Sequence, residues 1–555
     1  MYIKSFVCLA LLGMSLSAHA QYVSEVWCPD NGDGTYTNPV INADYSDPDV
    51  CAVGDDYYMT ASSFNCVPGL PILHSRDLVN WEIIGHALTS LYENDNQSVL
   101  DFNIPQHGNG VWAPSIRYHN GEFYIYWGDP DNGIYMVKTK DPAGKWEAPV
   151  CVLRGKGYID TTPLWDDDGR CYLVNAYAAS RKHINSVLMV RELSADGTKA
   201  ISNPVIVFDG NKNGNYVSEG PKFYKRNGYY YIMWPAGGVV DGWQMAARSK
   251  NVYGPYEYRK VMDKGNSGIN GPHQGGWVET AQGEHWFLNF QDKDAYGRVV
   301  HLNPMKWVDD WPVIGIDKDG DGCGEPVAKY KKPKSSYSTV VNPQESDEFN
   351  APALGKQWQW HANYDEEYGM PTPDGFFRMF TRKQSEHFVN LWESPSLLLQ
   401  KTPADEFTAT AKIEFASKAD GQYGGVIMMG LDYSSLVVKR TGDMFELQQR
   451  TCHKADKGGT ENVKKLAMLK PTSRDKVDYK PAIYEKIYLR MTVKKGALLT
   501  FSYSTDGKRF KDCGETFNMK EGKWIGAKMG FVCEEPAGKT DRGWIDIDWF
   551  HVTKQ

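Results

Sequence analysis

The stretch Val217-Ser-Glu-Gly-Pro-Lys-Phe-Tyr-Lys-Arg-Asn-Gly-Tyr-Tyr-Tyr-Ile-Met-Trp234 places a carboxylate, Glu219, ahead of Gly-Pro. A short mixed run follows, then Asn227-Gly228, then a dense aromatic run. Asn-Gly between two strand-like runs is a strong hairpin signal, because both residues accept the positive φ of a two-residue turn. The stretch therefore reads as strand, tight turn, strand, with an acid at the mouth of the first strand.

The same plan occurs five times. Asp47-Pro48-Asp49-Val50 leads to Gly54 and Tyr57-Tyr58, and Trp112-Ala113-Pro114 leads to Asn120-Gly121 and aromatics up to Trp127. Asp160-Thr-Thr-Pro163 leads to Asp168-Gly169 and Tyr172, and Gly271-Pro272-His273 leads to Gly283 and Trp286-Phe287. Each unit has a proline near the start of a strand, where its missing N–H costs no ladder bond. The prolines recur roughly every 50–66 residues, room for four strands, and an all-β period of this size means a propeller. The expected fold is a five-bladed β-propeller over residues 21–330.

The first strand of each propeller blade lines the central channel, and equivalent strands enter at the same end. Residues beside the five prolines then ring one mouth: Asp47, Trp112, Asp160, Glu219 and His273. Two carboxylates flanking a bond can hydrolyse a glycoside, one protonating the leaving oxygen and the other activating water. The acid must stay protonated near neutral pH, so burial or a further negative charge has to raise its pKa. Asp47, Asp160 and Glu219 supply a base, a modulator and an acid. The residues alone do not assign these roles, although the longer Glu219 is the favoured donor. Asp before Pro is also an ordinary turn residue. The weight rests on three acids in matching positions, because the second unit holds Trp112-Ala113 there instead.

The remaining composition sets bounds. The chain has 555 residues, a net charge of -8 and 23% charged residues, so no basic field favours nucleic acid or an anionic membrane. Aromatics make up 13%, which suits an all-β core and also sugar stacking. Residues 1–20 carry Lys4, an apolar run over 6–16 and Ala18-His19-Ala20, the features of a cleaved secretory signal. The expected location is secreted or periplasmic. No later stretch is apolar enough to span a bilayer. Nine cysteines follow the signal at irregular spacing, which argues for mostly free thiols, with room for one or two disulfides, and against zinc. Residues 331–344 read as an exposed linker. From 345 to 555 the alternating runs at 407–415, 488–493, 499–503 and 544–550, with a turn at Asp506-Gly507, read as a β-sandwich. Asp317-Lys-Asp-Gly-Asp-Gly322 has calcium-loop spacing, but Ala328 stands where an EF-hand needs Glu, so a surface turn is the favoured reading.

Several motifs carry a family likeness. They are Asn38-Pro-Val-Ile41, Asp47-Pro-Asp-Val50, Gly69-Leu-Pro-Ile-Leu-His-Ser-Arg-Asp-Leu-Val-Asn-Trp81, Gly110-Val-Trp-Ala-Pro-Ser-Ile-Arg-Tyr118 and Tyr158-Ile-Asp-Thr-Thr-Pro163. Ser218-Glu-Gly-Pro221, Gly271-Pro-His273, Gly297-Arg298 and Met305-Lys-Trp-Val-Asp-Asp-Trp-Pro312 complete the set. Together they resemble family 43 glycoside hydrolases, in the branch of β-xylosidases and α-L-arabinofuranosidases with a C-terminal concanavalin-like sandwich. The resemblance implies an inverting, exo-acting enzyme on arabinose- or xylose-containing carbohydrate, with no cofactor needed for the chemistry. It implies Asp47 as general base, Asp160 as modulator and Glu219 as general acid. Arg298 would hydrogen-bond the terminal sugar and the modulator, Phe64 and Trp112 would line the sugar pocket, and His273 would join them in binding substrate. His273 would sit at the channel centre beside a structural calcium or its waters. A sandwich loop would close the pocket, and Phe531-Val-Cys-Glu-Glu535 is the segment taken for it. Asn65 and Cys66 depart from the acidic and aromatic residues common in xylosidases of this branch, which favours terminal α-L-arabinofuranose. β-1,4-Linked xylose is the alternative, followed by a retaining enzyme of the fructosidase type and a non-catalytic carbohydrate binder.

Overall fold

The computed structural model describes residues 21–91, 100–477, 480–538 and 541–555. The signal-like segment 1–20 lies outside them. Twenty strands form five four-stranded antiparallel sheets, each cut from consecutive chain. Their first strands are Asp49–Val53, Trp112–His119, Tyr158–Trp165, Lys222–Arg226 and His273–Glu279. These are the five blades expected from the proline spacing, numbered here in chain order. The hairpins form as the turn residues dictate: Asn227 and Gly228 have φ of 50° and 70°, Asn120 and Gly121 have 49° and 81°, as a two-residue turn between twisted strands requires.

Side chains near the channel tie the blades together. Asp49 Oδ2 in blade 1 accepts from Ile116 N (2.9 Å) and Arg117 Nη1 (2.6 Å) in blade 2. Lys222 Nζ in blade 4, fully buried, donates to Pro114 O of blade 2 at 3.0 Å. Thr162 Oγ1 joins blade 3 to Pro221 O, and Tyr224 Oη accepts from Trp277 N of blade 5. The ring closes where blade 5 meets the segment entering blade 1. Ile41 and Val300 exchange backbone hydrogen bonds, Tyr45 N donates to Arg298 O, and Asn38 brackets the backbone of Leu302. Thr35–Thr37 pairs with Lys329–Lys331 outside this seam.

The C-terminal domain is a sandwich of two eight-stranded sheets. One sheet holds all four runs expected from alternation: Phe407–Ser417 lies between Trp544–Thr553 and Lys480–Lys494, and Leu498–Ser504 comes next. Phe415, Leu436, Ile487, Phe531 and Phe550 meet in the core between the sheets, all of them fully buried. Of the linker, residues 334–339 are exposed, whereas Val341 and Asn342 are buried against the N-terminal segment.

The two domains are joined by backbone as well as side chains. Val67 of the propeller and Trp360 of the sandwich exchange two hydrogen bonds, at 3.0 and 2.6 Å. Asn363 pairs with both backbone groups of Leu91. Ala295 and Tyr296 of blade 5 enter the sandwich core, and Ala527 N donates to Ala295 O at 2.7 Å. The nine cysteines of the described residues are free thiols. Among the described residues no helix is long and apolar enough to cross a membrane.

Candidate active site

Each blade kinks the chain in or just before its first strand, at the same mouth of the channel. The kink is a residue with left-handed backbone: Asp47 (φ 54°), Ala113 (33°), Asp160 (58°), Gly220 (63°) and Gln274 (28°). A non-glycine residue at positive φ is costly and persists only when its surroundings fix it. In blades 2, 3 and 5 the kink coincides with a break in strand register. The fold thus offers two side-chain positions per blade: the kinked residue and its predecessor. Asp47 and Asp160 use the first. Trp112, Glu219 and His273 use the second. The three acids are therefore gathered at one mouth, as expected, but Glu219 stands one residue before the position that Asp47 and Asp160 share.

They line one cavity of about 170 Å³ together with Phe64, Trp112, Ala113, Ile159, Val239, Gln274, Arg298 and Trp524. An apolar cavity of ~150 Å³ takes a benzene ring, so this space suits a single sugar ring. Asp47 lies deep, its side chain 7% exposed. Its Oδ2 accepts from Ser46 Oγ (2.8 Å) and Ser62 Oγ (2.6 Å), and its Oδ1 faces Arg298 Nη1 at 3.5 Å. Arg298 is fixed in turn through Nη1 to Ser46 Oγ (2.8 Å), through its backbone N to Asp44 Oδ1 (2.8 Å) and by packing over Phe290. Such charge-assisted contacts hold a carboxylate in one orientation.

Asp160 is buried, and its Oδ2 accepts from Gly220 N at 2.7 Å, which sets it beside the backbone of Glu219. Burial raises the pKa of Asp160, with the charge of Asp47 adding to the rise. Glu219 sits at the rim with its side chain 32% exposed. Burial, then the carboxylates of Asp160 and Asp47, push its pKa well above the ordinary glutamate range, and Arg298 opposes them. The site therefore separates a deep, hydrogen-bonded carboxylate from a rim carboxyl that favours its protonated form. This separation is the arrangement acid–base hydrolysis needs.

A model of glycosyl hydrolases family 43 matches residues 36–312, and one of the β-xylosidase C-terminal concanavalin A-like domain matches residues 346–553. A putative β-xylosidase of Xylanibacter ruminicola is 36% identical over 504 residues, covering 90% of this chain and 86% of that protein. The chain belongs to glycosyl hydrolase family 43. A β-xylosidase of Formosa agariphila is 31% identical over 571 residues, 94% of this chain and 90% of its own. The crystal structure of the family 43 protein BlXynB from Bacillus licheniformis superposes with a TM-score of 0.77 at 26% identity, covering 94% of this chain and all of that one.

In this family 43 hydrolase Phe64, Trp112 and Arg298 line the pocket with the three acids, but Arg298 bonds to Ser46 and Asp47 instead of the modulator Asp160, and His273 does not line the pocket. That ring is buried one position behind Gln274, with Nε2 3.6 Å from Glu219 Oε1, too long for a hydrogen bond, and both ring nitrogens lack a protein partner. Burial, with Arg298 adding, pushes its pKa down to about 3, so it faces the channel uncharged. Calcium takes six to eight oxygen ligands. His273 offers nitrogen and belongs to no cluster of three ligating side chains, so it fits such an ion only through intervening water. The one cluster of that kind among the described residues is Asp317, Asp319 and Asp321. Asp317 there accepts from Gly320 N and Gly322 N, and Asp321 from Cys323 N, the bonding of a self-contained turn.

Two expectations need correction. Phe531-Val-Cys-Glu-Glu535 is not the loop that closes the pocket. It lies in the buried strand Lys528–Glu535, and its alternating apolar residues fill the sandwich core. The loop is the stretch after Met519, from which Trp524 reaches the pocket, 45% exposed and edge-on to Trp112 at 6.1 Å. Trp524 has φ 65°, and Gly526 lies against the backbone of Tyr296 and Gly297. Its one sequence signal is a Trp among Gly, Lys and Glu residues between two strands. The second correction concerns Asn65 and Cys66, which do not line the pocket. Asn65 donates to His361 O of the sandwich and accepts from Gly108 N, while Cys66 is buried beside Lys528 Nζ at 3.3 Å. Phe64, at φ 50°, kinks the chain so that its own ring enters the pocket and the next two residues serve the domain interface.

Proposed function

We propose that this family 43 hydrolase is an inverting exo-β-1,4-xylosidase that removes single xylose residues from the non-reducing ends of xylo-oligosaccharides. The observation that carries the exo mode is the one-ring cavity with Asp47 at depth and Glu219 at the rim. The relatives named β-xylosidase, alike over most of both chains, support the sugar. The preference for arabinofuranose rested on Asn65 and Cys66, and neither lines the cavity.

In this reading Asp47 takes a proton from the water that attacks the anomeric carbon. Glu219 gives its proton to the leaving oxygen, and Asp160 keeps Glu219 protonated until that moment. Arg298 holds the glycone against Asp47, and Phe64, Trp112 and Trp524 exclude bulk water. The leader-like first 20 residues support export, which places the substrate outside the cytoplasm. Purified enzyme should cleave p-nitrophenyl β-D-xyloside faster than the α-L-arabinofuranoside, and proton NMR should show α-xylose as the first product of xylobiose. A faster arabinofuranoside would overturn the sugar, and β-xylose as first product would overturn inversion.

A further inference from the structure

Glu219 stands at the rim, so the leaving group departs past blade 4. Residues 213–218, which enter that blade, and the turn 237–242 between its second and third strands lie at the same end of the propeller. Val239 of the turn lines the pocket. Beyond it, Val240 is 50% and Tyr216 58% exposed. Neither is loose. The Tyr216 carbonyl accepts from Gly237 N at 2.9 Å, and Val240 O accepts from Gly271 N at 2.8 Å. The Tyr216 ring meets Trp243 edge-on at 6.3 Å, and that indole donates to Asn215 Oδ1 at 3.1 Å.

Between Tyr216 and the catalytic rim lies Val217, with φ 54°. A β-branched residue takes this conformation only when it is held there. Ser186 Oγ accepts from Val217 N (2.8 Å), and Ser218 Oγ donates to Asn215 O (2.5 Å). The strained residue lets one short segment send Tyr216 toward solvent and Glu219 toward the cavity. An exposed aromatic ring on backbone held this firmly, three residues from the acid, offers a fixed apolar face on which a sugar ring can stack.

We infer that Tyr216, backed by Trp243, is the seat of the leaving-group sugar: its ring stacks on the apolar face of the pyranose next to the cleaved bond. The inference rests on the exo-xylosidase reading above. The test compares kcat/KM for xylotriose with that for β-D-xylosyl fluoride, whose leaving group is too small to reach Tyr216. In Tyr216→Ala the ratio of the two should fall about 5- to 10-fold, the worth of one ring contact. Tyr216→Phe, which keeps the stack and loses only the hydroxyl, should restore it. An unchanged ratio in Tyr216→Ala, or a Phe variant as poor as Ala, overturns the seat. A wild-type enzyme inactive on both substrates would instead sink the xylosidase reading, and the seat with it.

Discussion

Gly526→Ala asks whether the sandwich completes the pocket. A Cβ on Gly526 would lie 2.7 Å from Gly297 N and from the carbonyl of Tyr296, where ordinary contact begins at 3.4 Å. Gly526 is not among the glycines with positive φ, so the methyl group acts by size alone. The obstacle is main chain, and the Ala527–Ala295 hydrogen bond clamps it. One side must therefore give by about 0.7 Å, the gap between 3.4 and 2.7 Å. If the sandwich loop retreats, Trp524 leaves the pocket wall. If residues 296–297 retreat, Arg298 shifts against Asp47. Overpacking of this kind costs about 1–3 kcal/mol, or roughly 2–12 °C in Tm for a domain of some 200 residues. A displacement of ~1 Å at a reacting centre can cost ~100-fold in rate. The expected result is a fall in kcat/KM of roughly 10- to 100-fold in a protein that remains folded at assay temperature. Steady-state kinetics on xylobiose and calorimetry on the same sample measure both quantities. Wild-type kinetics with a lowered Tm would refute the link between loop and site.

Glu219→Ala should lower turnover of xylobiose by about 10²–10⁴-fold and that of the p-nitrophenyl glycoside by much less, since nitrophenolate needs no proton; equal losses on both would argue against Glu219 as acid. The raised pKa of Glu219 means that kcat/KM should fall as pH rises through that value. Asp160→Asn removes the charge that helps raise it, so the alkaline limb should move to lower pH, and a limb that stays put would remove Asp160 from that role. The same two carboxyls bind more protons folded than unfolded, so their contribution to stability is complete below the ordinary carboxylate range and is lost as pH rises through the raised values. Tm measured across that window should therefore decline less in the Asp160→Asn, Glu219→Gln double variant. Asn65→Asp replaces the donor to His361 O with a buried carboxylate and should cost about 1–3 kcal/mol or more. It should leave the ratio of xyloside to arabinofuranoside cleavage unchanged, and a changed ratio would return Asn65 to the pocket.

The propeller was legible because its punctuation is local. A proline in or just before each first strand and a glycine in the hairpin turn that follows act through the φ of single residues, and five copies make the period plain. The acids were legible for the same reason, being anchored to the repeat. The offset between Glu219 and the other two was not, because it depends on which residue of Asp47-Pro48, Asp160-Thr-Thr-Pro163 or Glu219-Gly220-Pro221 takes up the kink. Asn65 and Cys66 misled because they adjoin Phe64, and one left-handed residue turns the chain away from the sugar. Trp524 lies more than 400 residues from Trp112 in sequence. Only docking of the two domains brings them together, so no local pattern marks it. Phe531 to Glu535 drew attention by its apolar residues, which serve the sandwich core.

Because each sheet of the toroid is cut from consecutive chain, the ring has no strand borrowed from its far end. Its two ends simply meet, and Asp47 and Arg298 face one another across that junction. A chain emerging from its N-terminus can complete four sheets and hold every acid while still lacking the guanidinium that faces Asp47. The pocket is then finished in two later steps, the fifth sheet with Arg298 and the sandwich with Trp524, and a half-assembled ring holds neither.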